Sequence, residues 1–292
     1  MPSLLAVPNF SEGRAQPTIE ALQKAVAPAR LLDVHSDVDH NRTVLTIAAA
    51  PRELAAAVTR AAQVAIERID LTTQQGAHPR IGAIDVAPIV YLTAEDRGAA
   101  CAEALALADM LGSQLSLPVF LYGVLTANTR TRAQLRQGGP TGLAARLAAA
   151  HLKPDFGPAE LHPTAGAVLV SARPPLIAFN VELAPPATLD DAQRIAAMIR
   201  EGTAAGLPGV RALGVQLHNP DRPQVSMNVE DFHTTPLRTV IEAIRRHATI
   251  ARAEFVGLPP GAALATIPAE LEIVSSRSLE DVLAAPTVPS TN

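Results

Sequence analysis

Two polar clusters hold the residue types that do chemistry near neutral pH. The first, DVHSDVDHNR at residues 33–42, sets three aspartates, two histidines and an arginine at the end of an apolar run. Carboxylates and imidazoles this close together suit a divalent metal such as zinc, iron or manganese. The spacing matches neither the helical HExxH pattern nor an EF-hand loop, and the same residues also make an ordinary turn through local Asp and Asn hydrogen bonds. Turn, substrate site and metal site all stay open on these residues alone. The second cluster, QQGAHPRIGAIDV at residues 74–86, places His78 before Pro79 and between Gly76 and Gly82. Proline biases His78 toward an extended backbone, on a loop just ahead of a buried strand, a common place for a working side chain. An imidazole with a pKa of about 6.5 can both take and return a proton, which group transfer between two amines requires. The plainer alternative is a histidine hydrogen-bonded where a strand begins.

Other chemistries find little support. No GxSxG elbow or Cys/His pair points to an acyl-enzyme, and neither GxGxxG nor the P-loop lysine motif is present. The single cysteine, Cys101, allows no internal disulfide and no thiolate zinc cluster, which fits a reducing cytoplasm. Aromatic residues make up 3%, with no Trp, two Tyr and six Phe, too few to stack single-stranded bases. A net charge of -4 and a pI of about 6.1 offer no footprint for a nucleic acid either. The start, MPSLLAVPNF, lacks a basic region and reads as a first strand rather than a signal peptide or anchor. The longest apolar stretch, IGAIDVAPIVYL, is broken by Asp85 and Pro88 and is too short for a bilayer. No membrane partner is expected.

The elements that must position these clusters repeat. The chain has 292 residues, enough for two domains or one large α/β domain. Residues 3–8 read as a strand, Pro17 to about Val26 as a helix, and 31–39 and the run from Thr43 as strands; PRELAAAVTRAAQVAIERI reads as a helix and IDVAPIVYL as a strand. The same order returns later in PLIAFNVEL, DDAQRIAAMIREG, VRALGVQL, QVSMNVE, TPLRTVIEAIRRHA and RAEFVGL, with NPDRP as the hairpin connection. Two copies of one order predict an α+β fold of duplicated split βαββαβ, or ferredoxin-like, units, here taken as residues 1–173 and 174–292. Between them come a helix at about 95–115, a strand VFLYG and a region from Thr126 to Gly166 expected to be loops. After Pro259 the chain turns into Ala, Pro and Ser, and its last eight residues are expected to fray.

Six motifs then resemble one family. VPNFSEGR at 7–14, Asn41-Arg42-Thr43, GAHPRIGAIDVAP at 76–88, PDFGP at 154–158, PTAGA at 163–167 and AFNVEL at 178–183 are similar, in order, to glutamate formimidoyltransferase, the formiminotransferase half of formimidoyltransferase-cyclodeaminase. The resemblance covers about residues 4–257. It implies two ferredoxin-like subdomains facing each other across a substrate groove. It also implies transfer of a formimino group from N-formimino-L-glutamate to tetrahydrofolate, a co-substrate, in histidine degradation, with no metal. His78 falls on the family's catalytic base, and Gly157 to Gly166, with Pro158, His162, Pro163 and Thr164, on its folate-binding stretch.

In that reaction Asp37 or Asp39 would hold the cationic amidine, while Arg42 and Arg80 would meet substrate carboxylates. Asn9 and Asn41 are further binding candidates, although Ser11 or Glu12 could equally fix the turn before the first helix. The pterin would rest on Gly and Pro backbone, aliphatic walls and Phe156 or Tyr122, inside a basic groove. A homodimer is the expected assembly, and the chain's end soon after the transferase region leads us to expect a separate cyclodeaminase downstream. The alternatives are a formyl rather than a formimino donor, a non-catalytic folate-binding module, and a metal hydrolase built on DVHSDVDH.

Overall fold

The first strand runs through a proline. In the computed structural model, which describes residues 4–218 and 221–285, it consists of β1 (Leu4–Ala6) and β2 (Asn9–Phe10), parted at Val7-Pro8. Proline has no N–H to give, but the ladder is kept by its neighbours. The Val7 N–H donates to the Pro88 carbonyl at 3.1 Å, and the Pro8 carbonyl accepts from the Leu45 N–H at 3.1 Å.

The chain continues as α1 (Gln16–Ala25), β3 (Arg30–Asp37), β4 (Arg42–Ala49), α2 (Glu53–Arg68) and β5 (Ile84–Tyr91). Across the sheet the order is β3, β4, the broken first strand, then β5, all antiparallel. This is the split βαββαβ arrangement the sequence led us to expect. Leu54, Ala57, Val58, Ala61 and Ala65 turn one face of α2 into the core, and so many alanines let the helix sit close to the sheet. Phe10, Leu22, Leu45, Ile47 and Ile89 fill the same core, each less than 1% exposed.

The sheet is then extended by α3 (Arg97–Leu115), β6 (Val119–Leu121), α4 (Arg132–Arg136), α5 (Gly139–Ala148) and β7 (Val168–Arg173), with β7 parallel to both β5 and β6. Two of these elements correct the expectation of loops over residues 126–166. A capping box between Thr131 and Gln134 starts α4, and Gly138-Gly139-Pro140 opens α5 ahead of the helix-forming LAARLA. The glycines and prolines mark the helix start, not its absence. Leu135 and Leu143 pack with Ile81, Val86, Phe120 and Leu169 in a second small core, which fixes α4 and α5 against the sheet. The residues give little sign of β7, because VLVSAR directly follows a turn-rich stretch.

The second unit begins after Pro174. It runs β8 (Ile177–Leu183), α6 (Leu189–Ile199), β9 (Val210–His218), β10 (Asp221–Val229), α7 (Leu237–Arg245) and β11 (Ile250–Phe255), with strand order β11, β8, β10, β9 and every pair antiparallel. Leu237, Val240, Ile241 and Ile244 recur at helical spacing on α7 and pack on the sheet. Past Pro259, where the sequence suggested no regular structure, come α8 (Gly261–Leu264) and α9 (Leu279–Ala284), the latter capped by Ser278. The start of the NPDRP turn, and the expected fraying from residue 286 on, lie outside the described residues. No helix among the described residues is long and apolar enough to cross a membrane.

One backbone position tests this packing. Gly157 has φ of 79°, and a Cβ there would stand 2.1 Å from the Leu117 carbonyl oxygen. Gly157→Ala is therefore expected to lower unfolding stability by at least about 1 kcal/mol, read from urea melts. An unchanged midpoint would contradict this close approach.

Candidate active site

Backbone and side-chain hydrogen bonds tie three loops together at one end of the first unit's sheet. The loop after β2 is held by Ser11, whose Oγ donates to the Gly82 carbonyl at 2.7 Å while its N–H donates to Ala83 at 2.8 Å. Glu12, 5% exposed, accepts the N–H groups of Arg14 and Ala15 at 2.8 and 2.9 Å and so fixes the approach to α1. Its other carboxylate oxygen accepts from Gln74 at 3.1 Å. In the β3–β4 turn, Asp37 Oδ1 accepts the N–H groups of Asp39 and His40 at 2.8 and 2.7 Å, a local turn of the kind short acidic side chains favour. Asn41 then takes a left-handed φ of 47°, which asparagine tolerates.

Asn41 and Arg80 join these loops. Asn41 Oδ1 accepts the Gly13 N–H at 2.8 Å, and its Nδ2 donates to Gln74 and to the Gln75 carbonyl, so the 2% exposed side chain is fully engaged. The Arg80 guanidinium donates to the carbonyls of His40 at 2.6 Å and Asn41 at 3.0 Å. Gly76 lies so close beneath it that a Cβ would meet Arg80 Nη2 at 2.1 Å. The Ala77 N–H completes the join by donating to the Asp39 carbonyl at 3.0 Å.

The join leaves a small cleft lined by Ser11, Arg42, His78, Arg80 and Asp85. The His78 pKa is pushed well below the ordinary 6.5, first by burial, then by the positive charges of Arg42 and Arg136 and by His40; a backbone hydrogen bond at Pro79 opposes them. His78 is thus a neutral imidazole at neutral pH, with His40 edge-on at 6.1 Å. Burial, and then Arg136, draw the Arg42 pKa down to about 10, so Arg42 stays charged. Its guanidinium makes no hydrogen bond or ion pair among the described residues. Asp85 and Asp37 offset the burial in part without bonding the guanidinium directly, so a ligand carboxylate would still find donors there.

The structure brings together some sequence candidates and not others. His78, Arg42 and Arg80 share the cleft, and the turn bearing His162, Thr164 and Gly166 is stitched beside it: Gly166 bridges Gly82, and the Thr164 carbonyl accepts the Leu71 N–H at 2.8 Å. His162 Nδ1 accepts from Ala165 at 3.0 Å, which leaves the ring proton on Nε2. Gly157 sits elsewhere, packed on Gly112 and Leu117 where α3 meets β6. Pro158 and Pro163 are exposed. Asn9 is half-buried and donates to the Val7 carbonyl at 2.9 Å, outside the cleft lining.

Asp37 and Asp39 stand on the adjoining turn; the carboxylate that lines the cleft is Asp85. Sequence reasoning missed this role, although a charge inside the apolar run IDVAPIVY was its signal. Arg136, paired with Asp85, was hidden in what looked like a loop. Phe156 packs against the main core and Tyr122 is 6% exposed in the small one, so both aromatic rings suggested for the pterin serve as core.

Comparisons with known proteins agree on one relationship. The model of the formiminotransferase domain, N-terminal subdomain, matches residues 3–173, and that of the formiminotransferase domain matches residues 178–269. The chain is 38% identical over 275 residues to formimidoyltransferase-cyclodeaminase from Sus scrofa, covering 88% of this chain but 50% of that protein. It is 35% identical over 272 residues to glutamate formimidoyltransferase from Streptococcus pyogenes serotype M1, covering 88% and 89%. Its identity to the glutamate formimidoyltransferase of Thermoplasma acidophilum is 33% over 275 residues, covering 88% of each.

Charge around the turn makes a prediction about stability. Burial first, then Arg42, draws the His35 pKa from 6.5 to about 4, Asp37 only partly offsetting them. The unfolded chain then takes up this proton before the folded one, so stability is complete above 6.5 and is lost as pH falls toward 4. His35→Asn should flatten that loss in urea melts taken across this range. A parallel decline in both proteins would contradict the assignment.

Proposed function

The chain belongs to the formiminotransferase family, and on that premise we propose that it transfers the formimino group of N-formimino-L-glutamate to tetrahydrofolate. The products are L-glutamate and 5-formimidoyltetrahydrofolate, in histidine degradation. The names of the streptococcal and archaeal relatives support this reading. The observation that carries it is the pairing, in one cleft, of a neutral imidazole with an arginine whose guanidinium makes no hydrogen bond or ion pair among the described residues.

The folate amine attacks the formimino carbon, forming one C–N bond; the tetrahedral intermediate then breaks the C–N bond to the glutamate nitrogen. His78 removes the proton from the attacking nitrogen and returns it to the departing one. Its low pKa makes the imidazolium, once formed, a ready donor to the leaving amine. Arg42 takes a substrate carboxylate, and Arg80, with donors left beyond its three carbonyl bonds, assists. Asp37 and Asp39 face the amidine cation from the turn, and the His162 to Gly166 turn supports the folate beside them. Asn41 positions these groups, and Asn9, Gly157, Pro158 and Pro163 act through the backbone they shape. We propose a cytoplasmic homodimer that needs no metal and passes its product to a cyclodeaminase.

A formyl donor is the second reading. It is favoured by the engagement of Asp85 with Arg136, since among the described residues no uncommitted carboxylate lines the cleft to hold a cationic amidine. Parallel assays with formiminoglutamate and formylglutamate separate the two. His78→Ala should lower kcat about a hundredfold to ten-thousandfold with either donor while the fold is kept. Undiminished turnover by a folded variant would remove His78 from the mechanism.

A further inference from the structure

We propose that Arg136 is a positioning residue for His78, acting through Asp85: their ion pair anchors α4 to the strand that follows the His-Pro-Arg loop and sets a fixed positive charge beside the imidazole. The pair is enclosed, its side chains 14% and 4% exposed. Asp85 divides its carboxylate. Oδ1 accepts the Ile81 N–H at 2.8 Å, closing the loop that carries His78, and Oδ2 takes the Arg136 guanidinium. Arg136 Nε is buried with no hydrogen-bond partner among the described residues, so Asp85 is what places the guanidinium. Leu135, 2% exposed in the small core, holds the helix on the other side. A helix of five residues thus reaches, through one guanidinium, the carboxylate that lines the cleft.

The consequence is a base kept unprotonated by a residue that need not touch substrate. The charged and titratable groups around His78 are Arg42 from β4, His40 from the β3–β4 turn, Asp85 from β5, Arg80 from its own loop and Arg136 from α4. Arg42 and Arg136 both disfavour the imidazolium, and Asp85, left unpaired, would favour it. Neutralising Arg136 therefore raises the His78 pKa, and the acid limb of kcat/KM moves up with it. Lysine keeps the charge and should keep the limb in place.

This inference rests on the reading of His78 as the base, and the test separates the two. Isotope-labelled imidazole NMR would follow the His78 signal, identified by its loss in His78→Asn, against pH in the whole protein. Arg136→Gln should raise the His78 midpoint by about one pH unit, the size expected of removing a nearby unit charge. The acid limb of kcat/KM should shift equally, and Arg136→Lys should restore both. The double variant Asp85→Asn with Arg136→Gln avoids a buried unpaired carboxylate and should show a smaller upward shift. An unchanged His78 midpoint in folded variants, or equal shifts with glutamine and lysine, would overturn the proposal. A shifted midpoint with no turnover of either donor would instead overturn the reading of the reaction and leave the positioning intact.

Discussion

Everything at the site depends on keeping one imidazole uncharged among guanidinium groups. Burial alone lowers the pKa of histidine, and the positive charges of Arg42 and Arg136 lower it further. Those charges would be unfavourable if nothing compensated them. Arg136 is compensated by Asp85 and Arg80 by backbone carbonyls, whereas Arg42 feels Asp85 and Asp37 but makes no hydrogen bond or ion pair among the described residues. The cleft is therefore basic inside an acidic chain, as the two anionic substrates proposed for it require.

That electrostatic arrangement is only as good as its scaffold. The split βαββαβ unit sets the ends of β2, β4 and β5 side by side, and the three loops that follow or precede them are joined through Asn41 and Arg80. Both polar side chains spend themselves mostly on backbone, which makes the loops one object rather than three. The extension beyond β5 contributes differently: α4 arrives from the far side of the sheet, held by apolar packing, and delivers a single charge. The chain spans about half the length of the pig relative but most of the streptococcal one, so a region similar to this chain occurs in proteins of both sizes.

Much of this was legible in the residues. Strand and helix periods repeated in the same order, and both ferredoxin-like units followed, because local pattern and global fold agree there. His78 between two glycines and before a proline was visible as a presented side chain. Partners made by tertiary contact were not. Asp85 reads as a blemish in an apolar strand until Arg136 is seen against it, and Asn41 reads as a ligand until its bonds to Gly13 and Gln75 show that it is a joint. The helices α4 and α5 are hard to see in the residues because glycine and proline punctuate helix starts as well as loops and mask the helix-forming LAARLA. Tyr122 and Phe156 looked available only because aromatic residues are scarce; the core had claimed them.

The central claim is that His78 enters the reaction as a neutral base at physiological pH. Titrating the His78 imidazole by NMR in the unmodified protein, alongside the pH dependence of kcat/KM, tests it most directly. The account predicts that both midpoints coincide and lie well below 6.5. A His78 midpoint at or above 6.5, or an acid limb that does not follow it, would contradict the account.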